Sequence, residues 1–112
     1  MHLTPEMLER AYDYLRSTPP FKRWGLPRGD EVEFHVNYAA KVRGDCREAR
    51  DRHIIRLSAR NIGRTESLMA VMAHEMTHIH CDRKGIKAAH GRDFLKYAAQ
   101  VCREHGFDEK LF

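Results

Sequence analysis

Residues 74–78 read His74-Glu75-Met76-Thr77-His78. This pattern constrains the chain more than any other feature, because its chemistry works only on a helix. At about 100° per residue, positions four apart lie about 40° apart around the axis and one turn apart along it. The imidazoles of His74 and His78 then project side by side and can reach one ion. Glu75 lies beside His74 and can reach a water on that ion. H-E-x-x-H on a helix is the arrangement in which two histidines hold zinc and the glutamate acts as general base. A random chain of this composition contains the pattern about 0.04 times.

The neighbouring residues supply the helix. Thr65 is read as its cap and Glu66 suits the positive end of its dipole. Leu68, Met69, Val71, Met72, Met76 and Ile79 give it a broad apolar face, which holds the ligands rigidly. Gly85 is the expected stop.

A catalytic zinc site needs a third protein ligand and leaves a position open for water. A metzincin continues with glycine at 81 and histidine at 84, where this chain has Cys81 and Lys84. A gluzincin brings a glutamate from a following helix, and only Glu104 and Glu109 lie downstream. His90 is the better choice. It follows His78 after a Gly85-containing turn that can bring it opposite the His74/His78 pair. His80 is about 200° around the axis from His78 and points away. Cys81 returns to the His74 face two turns further on, roughly 10 Å along the axis, and is read as a core thiol. His2, His35, His53 and His105 lack metal spacing.

The rest of the chain suggests an α+β domain over residues 1–112. Thr4 and Pro5 open a first helix, and Met7, Leu8, Ala11, Tyr12 and Leu15 follow at helical spacing. That helix should stop before Pro19-Pro20, with a loop over 19–30. Val32, Phe34, Val36 and Tyr38 alternate as in a half-buried strand, and residues 53–58 form a second strand. A short strand near 39–43 is expected between them, with Gly44-Asp45 as a turn. The last helix runs from about Gly91 to His105 and ends at Gly106. Its buried stripe is Phe94, Leu95, Ala98, Val101 and Cys102.

Composition sets the setting. Among 112 residues, 42% are hydrophobic and 32% charged, which suits a soluble globular domain. No apolar run approaches the roughly 20 residues of a membrane span, and the start lacks a signal core, so an intracellular, cytoplasmic protein is expected. Cys46, Cys81 and Cys102 form no CxxC pair, so reduced thiols are expected rather than a disulfide framework or zinc ribbon. The net charge is +4. Within 41–64, Lys41, Arg43, Arg47, Arg50, Arg52, Arg56, Arg60 and Arg64 face only Asp45, Glu48 and Asp51. This segment is either a polyanion-facing patch or a solvated surface.

His74-Glu75-Met76-Thr77-His78 followed by His90-Gly91-Arg92-Asp93-Phe94 resembles the SprT-like metalloprotease domain, which includes the Spartan proteases. The resemblance covers about residues 31–105 and includes the strand Ile54-Ile55-Arg56-Leu57-Ser58 before the motif. It implies a zincin-like core of N-terminal helix, small three-stranded sheet, HExxH helix and C-terminal helix; the sequence departs from many members in lacking the cysteines of a zinc ribbon, so a minimal form is expected. It implies His74, His78 and His90 as zinc ligands, Glu75 as general base and Phe94 as the anchor of the third-ligand segment. It further implies a zinc-dependent endopeptidase with protein or peptide substrates, in the best-studied members proteins bound or crosslinked to DNA, and the Arg-rich segment 41–64 is compatible with a DNA partner. An oxyanion donor is also expected, from Tyr38, Tyr97 or an arginine. Rival readings are an ImmA/IrrE-like zinc peptidase with a downstream glutamate as ligand, and a non-catalytic zinc-stabilised DNA- or protein-binding module.

Overall fold

The computed structural model describes residues 2–112. Helix α1 spans Pro5–Arg16, and the Thr4 hydroxyl accepts from the Met7 amide at its start. A short helix α2, Phe21–Trp24, and a 3-10 turn, Gly29–Glu31, follow within a stretch expected to be a plain loop. Their anchors are apolar: Phe21 and Leu26 are buried in the core. Three strands come next: β1 (Glu33–Asn37), β2 (Gly44–Ala49) and β3 (Arg52–Ser58). Helix α3 covers Thr65–Arg83 and helix α4 covers Arg92–His105. The fold class is α+β, as the sequence suggests.

The sheet order is β1-β3-β2, with β3 parallel to β1 and antiparallel to β2. This corrects the expected strand near 39–43. The second strand begins where a turn was expected, at Gly44-Asp45, and it lies at the sheet edge rather than between the others. The reason is burial. In β3, His53, Ile54, Ile55, Leu57 and Ser58 are all buried, so β3 takes the centre. β2 reads Gly-Asp-Cys-Arg-Glu-Ala and has no apolar alternation to announce it. It is held by pairing with β3 and by a two-pronged ion pair, Arg56 Nε and Nη2 to Asp45 at 2.9 and 2.8 Å. The hairpin turn is instead Arg50-Asp51, with φ of 54° and 63°. Positive φ at both central residues matches the twist of tightly paired strands.

Helices α1 and α3 pack together on one face of the sheet. Leu8, Tyr12 and Leu15 of α1 meet Leu68, Met72, Met76 and Ile79 of α3 and Ile55 and Leu57 of β3 in one core. Four smaller expectations need correction. Arg64, not Thr65, is the α3 cap residue, and it makes no side-chain cap bond. Met69 is only partly buried. Leu95 is 58% exposed, because α4 turns only Phe94, Ala98, Val101 and Cys102 inward. Tyr38 lies beyond the end of β1 and is 71% exposed. None of the described helices is long and apolar enough to cross a membrane.

Candidate metal centre

The middle of α3 carries the site. Met72, Met76 and Ile79 are fully buried on its core side, which fixes its rotation. His74 and His78 then stand half-buried on the opposite side, one turn apart. His90 arrives from the loop between Gly85 and Gly91, and α4 follows directly. The Nε2 atoms of His74 and His78 are 3.3 Å apart, those of His74 and His90 3.3 Å, and those of His78 and His90 3.1 Å. No other group of three or more potential metal-ligating side chains converges among the described residues. Glu104 and Glu109, the alternative third ligands, lie outside it.

This triad fits a metal ion on two grounds, spacing and donor chemistry. A tetrahedral site with metal–nitrogen distances of about 2.0–2.1 Å has nitrogens about 3.3 Å apart, which matches the three spacings. The second is donor chemistry. A hydrogen bond needs a donor and an acceptor, and three mutually touching ring nitrogens cannot alternate the two roles. Neutral imidazoles therefore leave at least one clash of like roles, which a cation at the centre removes. Burial, then His78, His90 and Arg43, lowers the His74 pKa to about 4. Burial, then His90, lowers that of His78 to about 4. Both rings are thus neutral at pH 7, the state a metal requires.

Phe94 holds the three rings in place. Its ring centroid lies 4.4 Å from that of His78, nearly stacked, and 5.1 and 5.0 Å from those of His74 and His90. Buried to 2% exposure, it is the wedge on which the segment carrying His90 rests.

Glu75 is buried against the sheet edge at 3% exposure. A Cβ added at Gly44 would stand 3.3 Å from its Oε2 atom, and 3.0 Å from both the Arg56 carbonyl and Val71. A glycine is therefore what lets β2 approach α3 closely. Burial, with a smaller push from Asp45, raises the Glu75 pKa to about 8. A cation held nearby acts in the opposite sense and favours the carboxylate.

The family model that matches the chain is that of the SprT-like family, over residues 8–110. The chain belongs to the SprT-like family. No curated protein and no solved structure matches it.

Around the triad of this SprT-like domain lie two open cavities, of about 210 and 310 Å³, both bordered by Gly44, His74 and Glu75. Together they make a groove between β2 and α3. One end lies toward Ala70 and the other toward the loop that carries His90.

Other residues singled out in the sequence are placed elsewhere. His80 stacks on Trp24 at 4.0 Å, edge-on to Tyr97 at 4.6 Å, and joins α2 to α3 behind the site. Tyr97 is thereby removed from the groove. Cys81 packs with Phe94 and Ala98. His53 is buried, with Nε2 3.3 Å from Asp82 Oδ2, and ties β3 to the end of α3. The arginines do not form one face. Arg43 borders the groove, Arg56 is paired with Asp45, and Arg47, Arg50 and Arg52 gather at the hairpin tip. Sequence reading missed the positions of Gly44 and Arg43 and the approach of Phe112 to His74 at 5.3 Å. Each depends on a contact between distant segments and has no local signal.

Proposed function

We propose that the chain is a zinc-dependent endopeptidase, with His74, His78 and His90 as zinc ligands and Glu75 as general base. The observation that carries this reading is the convergence of three imidazole nitrogens to 3.1–3.3 Å in a groove that a buried carboxyl also borders. When bound, zinc supplies a Lewis acid that acidifies a water molecule and polarises a carbonyl. The protein does the rest. Phe94 packs the imidazoles into one arrangement, so little reorganisation is needed during reaction. Glu75 accepts the proton of the attacking water and returns it to the leaving amine. β2 is the sheet edge beside the groove, and its unpaired side suits an extended peptide backbone.

The substrates are proteins, and we propose that they include proteins bound or crosslinked to DNA. Arg47, Arg50 and Arg52 support this. They stand exposed at the hairpin tip, and none pairs with a carboxylate among the described residues. Such a cluster suits phosphates, and its binding should weaken steeply with salt.

The test is cleavage of a DNA-binding protein by the purified zinc-loaded chain, with and without single-stranded DNA. Glu75→Gln should keep one zinc per chain and lose about 10²–10⁴ of the rate. Retained turnover in that variant would remove Glu75 as the base. Zinc binding with no cleavage of any protein would favour the non-catalytic module. Cleavage that ignores DNA would keep the peptidase and return the arginines to a solvated surface.

A further inference from the structure

One end of the groove beside His74 is walled by a segment of the protein itself, through Leu111 and Phe112. After α4 the chain reverses at Gly106, where the Phe107 amide donates back to the Cys102 carbonyl at 3.1 Å. A tight turn follows, with the Leu111 amide on the Asp108 carbonyl at 3.0 Å. This brings Leu111 and Phe112 to the end of the groove between Arg43 and Ala70. There the Arg43 guanidinium donates Nη2–H to the Leu111 carbonyl at 2.6 Å. The Phe112 ring lies 5.3 Å from the His74 ring and stacks at 6.0 Å on Phe107. It is half-buried and touches both apolar clusters of the protein.

These are the contacts an incoming peptide needs. A main-chain carbonyl is gripped by a fixed donor, and the next apolar side chain is seated beside the imidazoles. The fastening is also light. Leu111 is 65% exposed, Asp108, Glu109 and Lys110 are exposed, and one hydrogen bond across the groove and two half-buried rings, Phe107 and Phe112, hold the segment in place. A peptide that makes the same contacts and also pairs along β2 would displace it.

We infer that Phe107–Phe112 is a self-inhibitory strap seated in the peptide-binding groove, and that Arg43 is the clamp for the backbone carbonyl of whichever chain sits there. The inference rests on the peptidase reading. It names the preferred guest as a peptide with a bulky apolar or aromatic residue at this position. A seated strap reduces the competent fraction of the protein, so apparent affinity for peptide falls by that fraction.

Two readouts test it in the full chain. The first is binding of a fluorescent peptide containing Leu-Phe to zinc-loaded Glu75→Gln, which needs no turnover. Adding Leu111→Gly and Phe112→Ala should tighten binding about tenfold, and adding Arg43→Ala to those changes should abolish the gain. The second is hydrolysis of the same peptide with Glu75 intact, where the strap changes should lower KM about tenfold and leave kcat within about twofold. Leu111→Gly alone alters an exposed position and should give a smaller gain in the same direction, should Phe112→Ala disturb folding. Unchanged affinity and KM in the strap variants would overturn the strap while leaving the peptidase standing. Tighter binding with no hydrolysis by any chain would keep the strap and sink the peptidase. No peptide binding in any form would overturn the groove assignment itself.

Discussion

Phe94 and His90 lie four residues apart and should fail in different ways when changed. Phe94 is buried among three imidazoles, so Phe94→Ala should cost about 3–5 kcal/mol of stability by opening a cavity. It should also weaken metal binding about tenfold or more, since the rings lose their support. His90 is exposed and holds no core, so His90→Ala should leave the metal-free stability within about 0.5 kcal/mol. Its effect should fall on metal affinity alone. Urea unfolding and competition with a chromophoric chelator separate the two cases. Undiminished metal affinity in His90→Ala would remove His90 from the ligand set. Gly44 makes a third case. An added methyl meets the Arg56 carbonyl and Val71 at 3.0 Å, and the carbonyl is backbone that cannot swing aside. Gly44→Ala should cost about 1–3 kcal/mol, and it should lower activity further by pushing on Glu75. A variant as stable as the parent would show that β2 and α3 are less closely packed than these distances require.

The β2–β3 hairpin is the element whose local sequence suits its conformation least. Arg50 and Asp51 both adopt positive φ, where a side chain other than glycine, asparagine or aspartate is disfavoured. The pair Arg50→Asn, Asp51→Gly supplies the sequence this turn prefers. It should raise stability by about 0.5–1 kcal/mol, read as a melting temperature higher by about 2–8 °C. An unchanged or lower melting temperature would mean that Arg50 makes contacts worth as much as the turn strain. The same pair of substitutions removes one cation and one anion from the hairpin tip, so its net charge stays the same. Weaker DNA binding with higher stability would assign Arg50 to the nucleic-acid surface. Helix α3 behaves differently, because one side is committed to the core through Met72, Met76 and Ile79. Its rotation cannot adjust without unpacking that core, so the imidazole positions follow from burial on the opposite side.

At the scale of the whole molecule, the histidine triad and the core are coupled, because α3 belongs to both. A ligand that binds only the folded state stabilises it by about 2.7 kcal/mol at a hundred times its dissociation constant. Zinc at that excess should therefore raise the melting temperature by about 10 °C or more, and chelation should reverse the change. A melting curve indifferent to zinc would mean that the triad does not hold it. The three thiols offer a second global probe. Burial pushes the Cys102 pKa up to about 11 and raises those of Cys46 and Cys81. None should react with iodoacetamide at pH 7.5 in the native protein, and all three should react in denaturant, as counted by mass spectrometry. Rapid native labelling of Cys46 would show that β2 leaves the sheet edge easily.

The sequence by itself determined what local spacing can determine. The order His74-Glu75-Met76-Thr77-His78 required a helix, and the apolar face around it made that helix a core element. His90-Gly91 before Phe94 marked a third imidazole followed by a helix, and Gly106 marked where α4 stops. The placement of β2 was not legible, because Gly44–Ala49 has polar composition and owes its strand to pairing with β3. The tertiary structure alone decided that this strand forms the rim of the groove and that Gly44 lies against Glu75. It also decided that Arg43 and Leu111 meet across 68 positions of sequence. Contacts of that range arise when separate elements bury their apolar faces together, and nothing in the local pattern of either segment encodes its partner.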